Sequence, residues 1–402
     1  MKKYFVLFNL IFAFVLLPGQ DEDKPTWSTK WNQGVEIKRS DDKFKFKLGG
    51  RVQFDIMNIY EDDSLSKAFG SKNGAEFRRL RWYTSGTLYG NINFKLQFDF
   101  SNGDAGVKDA YLEVTKIPWI GNFRAGHFKQ PFGLEMQTSS NHMLFMERGL
   151  TNAFTPERDI GLMIHNKHLN NRLAWYAGYF YPTGGVGKYL GDQYRFTFRV
   201  SGLPIYNTTG RYTVLHLGLA YENQFQNKQE LKLAERPEAH LAEKYVSLTI
   251  DSVNRADVFG GELSFVLGRF ALQGEMMMAR VNPVTSENAN FELYTYSAYY
   301  INFSWFITGE NRNYSAKKSA FDRITPKRNL GKGGAGAWEL VLRFSNIDLN
   351  DQDLNGGAMT DFTAGLNWYL NPATKIRFNY IYSDVLDKGY ANIAMVRFQV
   401  VF

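Results

Sequence analysis

The stretch NINFKLQFDF, Asn91 to Phe100, alternates without a break: Ile92, Phe94, Leu96, Phe98 and Phe100 at one parity, Asn93, Lys95, Gln97 and Asp99 at the other. Successive side chains of a β-strand point to opposite faces, so this segment presents one apolar face and one polar face carrying both charge signs. Each large apolar group is worth roughly 1.5–3 kcal/mol when removed from water, so leaving all five wet would cost on the order of 10 kcal/mol. Either a protein core or lipid must cover that face. The same period of two recurs in LRWYTSGTL (Leu80–Leu88), YRFTFRVS (Tyr194–Ser201), WELVLRFS (Trp338–Ser345) and KIRFNYIYS (Lys375–Ser383), and identifies strands rather than helices.

A scan for such runs gives seventeen candidate strands between residues 46 and 402. Bacterial single-chain barrels have even strand numbers, so residues 243–251, which follow the charged, proline-containing LKLAERPEAHLAEK, are assigned to a long loop and sixteen remain. Connections are tight at Gly90-Asn91 and Gly268-Arg269 and long from Met136 to Asp159, Gln224 to Glu243 and Arg312 to Ala335. Short turns on one side and long loops on the other are the barrel arrangement. The expected fold is all-β: a transmembrane antiparallel β-barrel of 16 strands with an inward-folded constriction loop. A soluble β-sandwich also has strands with one apolar face, so a secreted carbohydrate- or surface-binding sandwich is the alternative. Three features count against it: the strand number in one undivided chain, Trp and Tyr at strand ends (Trp82, Tyr89, Trp119, Tyr181, Trp338, Trp368, Tyr369, Tyr390), and a closing strand, ANIAMVRFQVVF, that leaves no open edge.

The 402 residues include no cysteine, which excludes thiolate metal sites, cysteine nucleophiles and disulfides. MKKYFVLFNLIFAFVLLPGQ has two lysines, then an apolar run from Tyr4 to Leu17 that is short for a membrane span and fits a secretory signal. The expected organisation is a signal peptide over 1–20, a short periplasmic segment over 21–43 and the barrel over 44–402, in the bacterial outer membrane. Removing residues 1–20 takes Lys2 and Lys3 and no acid, so the formal charge falls from +7 to +5, too little to imply nucleic acid. No H-E-x-x-H or G-x-S-x-G occurs, and DQDLNG (Asp351–Gly356) has Phe362 where a calcium loop needs Glu. No enzyme activity, cofactor or metal is expected.

FRAGHFKQPFGLE (Phe123–Glu135), GAWELVLRFSNIDL (Gly336–Leu349), FTAGLNWYLNPATKIRFNYIY (Phe362–Tyr382) and the closing VRFQVVF together resemble the phosphate-selective porin O and P family of outer-membrane proteins. The resemblance runs from Phe44 to Phe402. It implies a sixteen-stranded barrel, a homotrimer, a pore narrowed by an inward loop, and a terminal Phe402 similar to the signal read by the barrel-assembly machinery. Phosphate-selective members look as though they guide the anion along closely spaced arginines. The matching features here are Arg78, Arg79 and Arg81 in EFRRLRW and the thinner pair Arg195 and Arg199; an extended run is absent elsewhere.

A Lys or Arg facing lipid near the midplane costs about 2–4 kcal/mol, so the charged face of each strand belongs to the lumen. That places Arg79, Arg81, Lys95, Arg195, Arg199, Arg269, Arg343, Lys375, Arg377 and Arg397 inside, against Asp99, Asp109, Glu113, Glu262, Glu275 and Glu339. Ten bases against six acids favour anions modestly, although opposed charges can equally pair across strands. The constriction-loop candidate is MQTSSNHMLFMERGLTNAFTPERD, Met136–Asp159, with Met143, Leu144, Phe145 and Met146 for the wall and Glu147, Arg148, Glu157 and Arg158 for the pore. Lys129 ends the strand before it. The expected function is passive diffusion of small polar, preferentially anionic solutes, phosphate among them, through a water-filled channel across the outer membrane, with outer-membrane lipid around the barrel.

Overall fold

The computed structural model describes residues 25–101, 103–187, 189, 191–284, 293–331 and 333–402, so the signal peptide expected over 1–20 lies outside the described residues. The period-two runs form sixteen strands: β1 Lys45–Glu61, β2 Gly74–Leu88, β3 Ile92–Asp99, β4 Gly106–Ile117, β5 Gly121–Lys129, β6 Arg158–His168, β7 Leu173–Tyr181, β8 Tyr194–Asn207, β9 Thr213–Glu235, β10 Val246–Leu267, β11 Phe270–Pro283, β12 Tyr294–Phe306, β13 Ala337–Asp351, β14 Leu354–Tyr369, β15 Thr374–Val385 and β16 Gly389–Val401. Each pairs antiparallel with its neighbours in sequence. β16 returns to β1, from Ala391↔Glu61 to Val401↔Arg51, and closes the barrel. At the seam, the Phe402 amide donates to the Gly50 carbonyl at 3.1 Å, and a Cβ on Gly50 would lie 2.8 Å from the Phe402 ring.

The apolar face points outward. Leu96 and Phe100 of the opening stretch are exposed while Gln97 and Asp99 are buried inside, and Leu219, Leu263, Met276, Ile301, Phe362 and Phe378 continue the exposed apolar belt. A water-soluble barrel or sandwich requires the reverse, so this surface belongs in lipid. Trp338 and Trp368 stack on the outside at 4.8 Å between ring centroids. Tyr369 departs from the expected aromatic girdle: it points inward, buried, and its hydroxyl donates to Glu339 at 2.7 Å.

Two expectations about connections are corrected. Residues 246–251, placed in a loop by their sequence, are the first part of β10, and LKLAE, Leu231–Glu235, is the upper end of β9, leaving residues 236–245 as the connection. Register shifts near Gln229 in β9 and between Val253 and Arg255 in β10 break the alternation of both long strands. The connection containing Arg312–Ala335 joins β12 to β13 at the short-turn end, not the long-loop end. It folds up into the barrel, where the Tyr314 hydroxyl lies 2.8 Å from His216 Nδ1, Tyr176 donates to Ser319 at 3.2 Å, and Asp322 lies 3.5 Å from His142 of the loop between β5 and β6.

Below the end of β16, the hairpin Trp27–Trp31/Val35–Arg39 takes its place beside β1, pairing from Val35↔Leu48 to Lys38↔Lys45. DQDLNG is a tight turn between β13 and β14, with Asp351 paired to Leu354; among the described residues no group of three or more potential ligands could hold a metal.

Candidate functional site

The loop from residue 130 to 157 enters the lumen and is held by its own carbonyls. Lys375 Nζ donates to the Asn141 carbonyl at 2.5 Å, Arg377 to that of Phe145 at 2.8 Å, Arg397 to that of Met146 at 2.5 Å, Arg343 to that of Glu147 at 3.1 Å and Asn367 to that of Leu144 at 2.9 Å. A hydrogen bond from a charged donor contributes about 1.5–3 kcal/mol, so four of them fix the path of a segment that has little regular structure. Met143, Leu144, Phe145 and Met146 are all buried beneath it, Leu144 and Phe145 against Val341. At the loop's start Gly133 has φ +68° and leads into a single helical turn, Leu134–Gln137, whose Glu135 amide donates to Glu275 at 3.1 Å.

Arg343, Lys375, Arg377 and Arg397 therefore point inward as expected, but their side chains are buried clamps rather than faces on open water. Arg199 is likewise buried, bidentate to Glu262 at 2.7 Å, and Glu262 accepts from His216 at 2.9 Å behind the turn-side loop. Arg195 pairs with Asp159 at 3.1 Å. Arg269 was assigned to the lumen by alternation; it sits at the rim, 5.3 Å over the outward ring of Phe270, because it belongs to a turn.

The loop is clamped mainly by β13–β16 and the turn-side insert by β6, β7 and β9, and the wall of β1–β5 faces the loop across an opening. Between that wall and the loop is a cavity of about 270 Å³ lined by ten cations, Arg51, Arg78, Arg79, Arg81, Lys95, Lys108, Arg124, Lys129, Arg148 and Arg158, against two acids, Asp109 and Glu157. Six of the ten are matched to carboxylates: Arg78 to Glu147 at 2.9 Å, Arg79 to the same group at 3.7 Å, Arg81 to Asp99 at 2.6 Å, Lys95 and Arg158 to Asp109 at 2.5 and 2.8 Å, and Arg124 to Glu113 at 2.6 Å. Among the described residues, Arg51, Lys108, Lys129 and Arg148 have no carboxylate within 4.0 Å. Arg51 donates to Ser140 Oγ at 2.7 Å and Lys129 to the Met136 carbonyl at 2.5 Å, while the Nε atoms of Arg51 and Arg148 are buried without a partner.

Two β-bulges concentrate this charge. Gln53 opposes Arg79 and Phe54 opposes Phe77, so Arg78 is an extra residue on β2; Gln97 opposes Asp109 and Phe98 opposes Val107, so Lys108 is extra on β4. A bulge turns two consecutive side chains to the same face. Strict alternation would aim Arg78 and Lys108 at lipid, at about 2–4 kcal/mol each near the midplane. The adjacent Arg78-Arg79 in a strand that must span lipid was the available signal. Arg51 and Arg124 were legible by parity and were passed over.

Burial opposes ionisation of Glu147, yet Arg78, Arg79 and Arg397 overcome it and hold its carboxyl well below the ordinary range. For Glu157 burial is again the largest influence, outweighed by Arg148, Arg158, Lys108 and Lys129, so its pKa is lowered. Both loop acids are thus ionised partners of the cationic wall. Above the constriction a wider vestibule of about 440 Å³ shares Arg78, Arg148 and Glu157 and adds the cations Lys232, Arg236 and Lys244 and the acids Glu147, Glu235 and Glu238.

A sixteen-stranded barrel with an apolar exterior, narrowed by an inward loop whose charges meet a basic wall, is an outer-membrane porin. The family model described as phosphate-selective porin O and P matches residues 46–402, and the chain belongs to that family. Porin O of Pseudomonas aeruginosa is 26% identical over 392 residues, covering 88% of this chain and 86% of that protein. Two solved structures share the fold: an anion-selective porin from Comamonas acidovorans, 12% identical with a TM-score of 0.58 over 89% of this chain and 100% of that one, and in-vitro-folded OmpT, an outer-membrane protein of Vibrio cholerae, 11% identical with a TM-score of 0.55 over 89% and 98%.

Proposed function

We propose that this porin is a passive channel that prefers small anions, phosphate-like oxyanions among them, and that acts through pore size and field rather than through bond chemistry. The observation that carries the reading is the set of four cations, Arg51, Lys108, Lys129 and Arg148, that meet at the constriction without carboxylate partners. Clefts lined by one sign of charge between low-dielectric walls focus the field and raise the local concentration of the opposite ion. Arg78, Arg79, Arg81, Lys95, Glu147, Glu157 and Arg158 shape that field, and Arg195 extends it; Arg199, Arg343, Lys375, Arg377 and Arg397 hold the framework. The family's description as phosphate-selective and the selectivity of the Comamonas anion-selective porin point the same way.

The assembly in this reading is a homotrimer, the form described for one OmpT structure at a TM-score of 0.52, with residues 21–43 at the periplasmic end and Phe402 presented to the assembly machinery. Reversal potentials across planar bilayers in a KCl gradient test the selectivity. Anion preference, with chloride current reduced by added phosphate, is the expected result; cation preference rejects it.

A further inference from the structure

The outward surface of β8–β12 carries an open apolar groove of about 770 Å³. Glycines make it: Gly202, Gly261 and Gly274 stand at outward positions among Leu217, Leu263 and Met276. A Cβ built on Gly202 or Gly261 would have nothing within 4 Å, so the missing side chains leave space that no neighbouring residue fills. The size is that of a small-molecule site.

Just below the groove, at the short-turn rim, Phe270 packs with Phe303 and Trp305 at 6.3 and 6.4 Å, and Arg269 lies over Phe270. Arg172 and Arg211 stand on the neighbouring turns; residues 169–172, 208–212 and 268–269 contain three arginines and no acid. Among the described residues none of the three arginines has a carboxylate within 4.0 Å; Arg172 is engaged with the carbonyls of Leu203 and Pro204, and Arg211 and Arg269 are exposed. Leu272, at the lower lip, is three residues from Arg269, roughly 7–8 Å along the barrel axis for a tilted strand. That distance suits a chain entering the groove from a headgroup phosphate at the arginines. Anionic phosphate matches this rim, whereas a second barrel would have to bring its own acids to it.

We propose that this groove is a binding site for one acyl chain of a glycerophospholipid of the periplasmic leaflet, whose phosphodiester is held by Arg211 and Arg269. The site is separate from the pore, and filling it leaves the lumen untouched because the glycines face lipid.

The test uses the full porin in phosphatidylethanolamine/phosphatidylglycerol vesicles containing a trace of phosphatidylglycerol with a photoactivatable group midway along one chain, with adducts located by peptide mass spectrometry. Adducts are expected to favour peptides containing Leu217, Leu263 and Met276 over those with the equally outward Phe362 and Phe378 by about fivefold, or ~1 kcal/mol of preference. Gly202→Leu with Gly261→Leu should abolish the preference, and Arg211→Gln with Arg269→Gln should reduce it without filling the groove; conductance and heat-modifiable migration should stay as in the parent. Adducts spread evenly around the barrel, or a preference that survives the filled groove, overturn the proposal. So does crosslinking of a photoreactive residue at position 263 to a second copy of the chain. If a variant fails to fold, the adduct map of the parent protein decides.

Discussion

Arg148→Ala removes one unpaired cation from the constriction without stranding a carboxylate. Glu157, the acid it most affects, keeps Arg158, Lys108 and Lys129 nearby. A unit charge ~6 Å from the ion path interacts with a permeating ion by about 0.7 kcal/mol even at the dielectric of water. The anion loses that attraction and the cation loses the same repulsion, so the anion's advantage over the cation shrinks by about 1.4 kcal/mol, and the anion-to-cation permeability ratio should fall about tenfold. A lower local dielectric would enlarge the effect and salt would shrink it, so the measurement belongs at low ionic strength. Reversal potentials in a KCl gradient read the ratio directly, and Lys129→Ala provides an independent second removal from the opposite wall. If both variants insert with heat-modifiable migration yet keep the parent ratio, the reasoning fails and the selective narrowing lies elsewhere.

Arg78→Ala should lower anion preference in the same assay, whereas Arg199→Met, buried against Glu262 and His216 behind the turn-side loop, should cost about 3–5 kcal/mol in stability and leave the reversal potential unchanged; a selectivity change in folded Arg199→Met contradicts its placement. Arg397→Met strands Asp55, leaves Glu147 to Arg78 and Arg79 alone and frees the Met146 carbonyl, so the loop should loosen, with noisier and larger single-channel currents and faster proteolysis between residues 140 and 150; parent-like currents would show that the remaining clamps suffice. Glu147 and Glu157 have pKa values held below their unfolded value near 4.3, so their pairs contribute full stability above that pH and lose it only as pH falls through the lower folded values. Loop proteolysis should therefore be flat from pH 8 to 5 and rise in stronger acid; a midpoint between pH 5 and 7 would rule out these acids as its cause.

Much of the barrel was legible in the chain because a period of two assigns every side chain of a strand to one face, and the cost of charge in lipid says which face is which. NINFKLQFDF behaves in the structure as its alternation requires: Leu96 and Phe100 outside, Gln97 and Asp99 inside. The loop after Lys129 also announced itself, by length, by missing periodicity and by apolar residues beside charges. What alternation cannot express is a defect in alternation. The bulges that turn Arg78 and Lys108 inward are set by how β2 and β4 pair with their neighbours, and so was the continuity of β10.

Nor does parity say what lies over an inward side chain. Arg79 and Arg377 read alike in sequence, yet one faces the basic cavity and the other is sealed under Phe145, because contacts between residues more than two hundred positions apart decide where the loop lies. The sequence by itself determined a lipid-exposed barrel with a charged interior. Only the tertiary structure decided which of those charges meet water, since two inward-folding segments, one from each end, occupy the lumen and bury the rest.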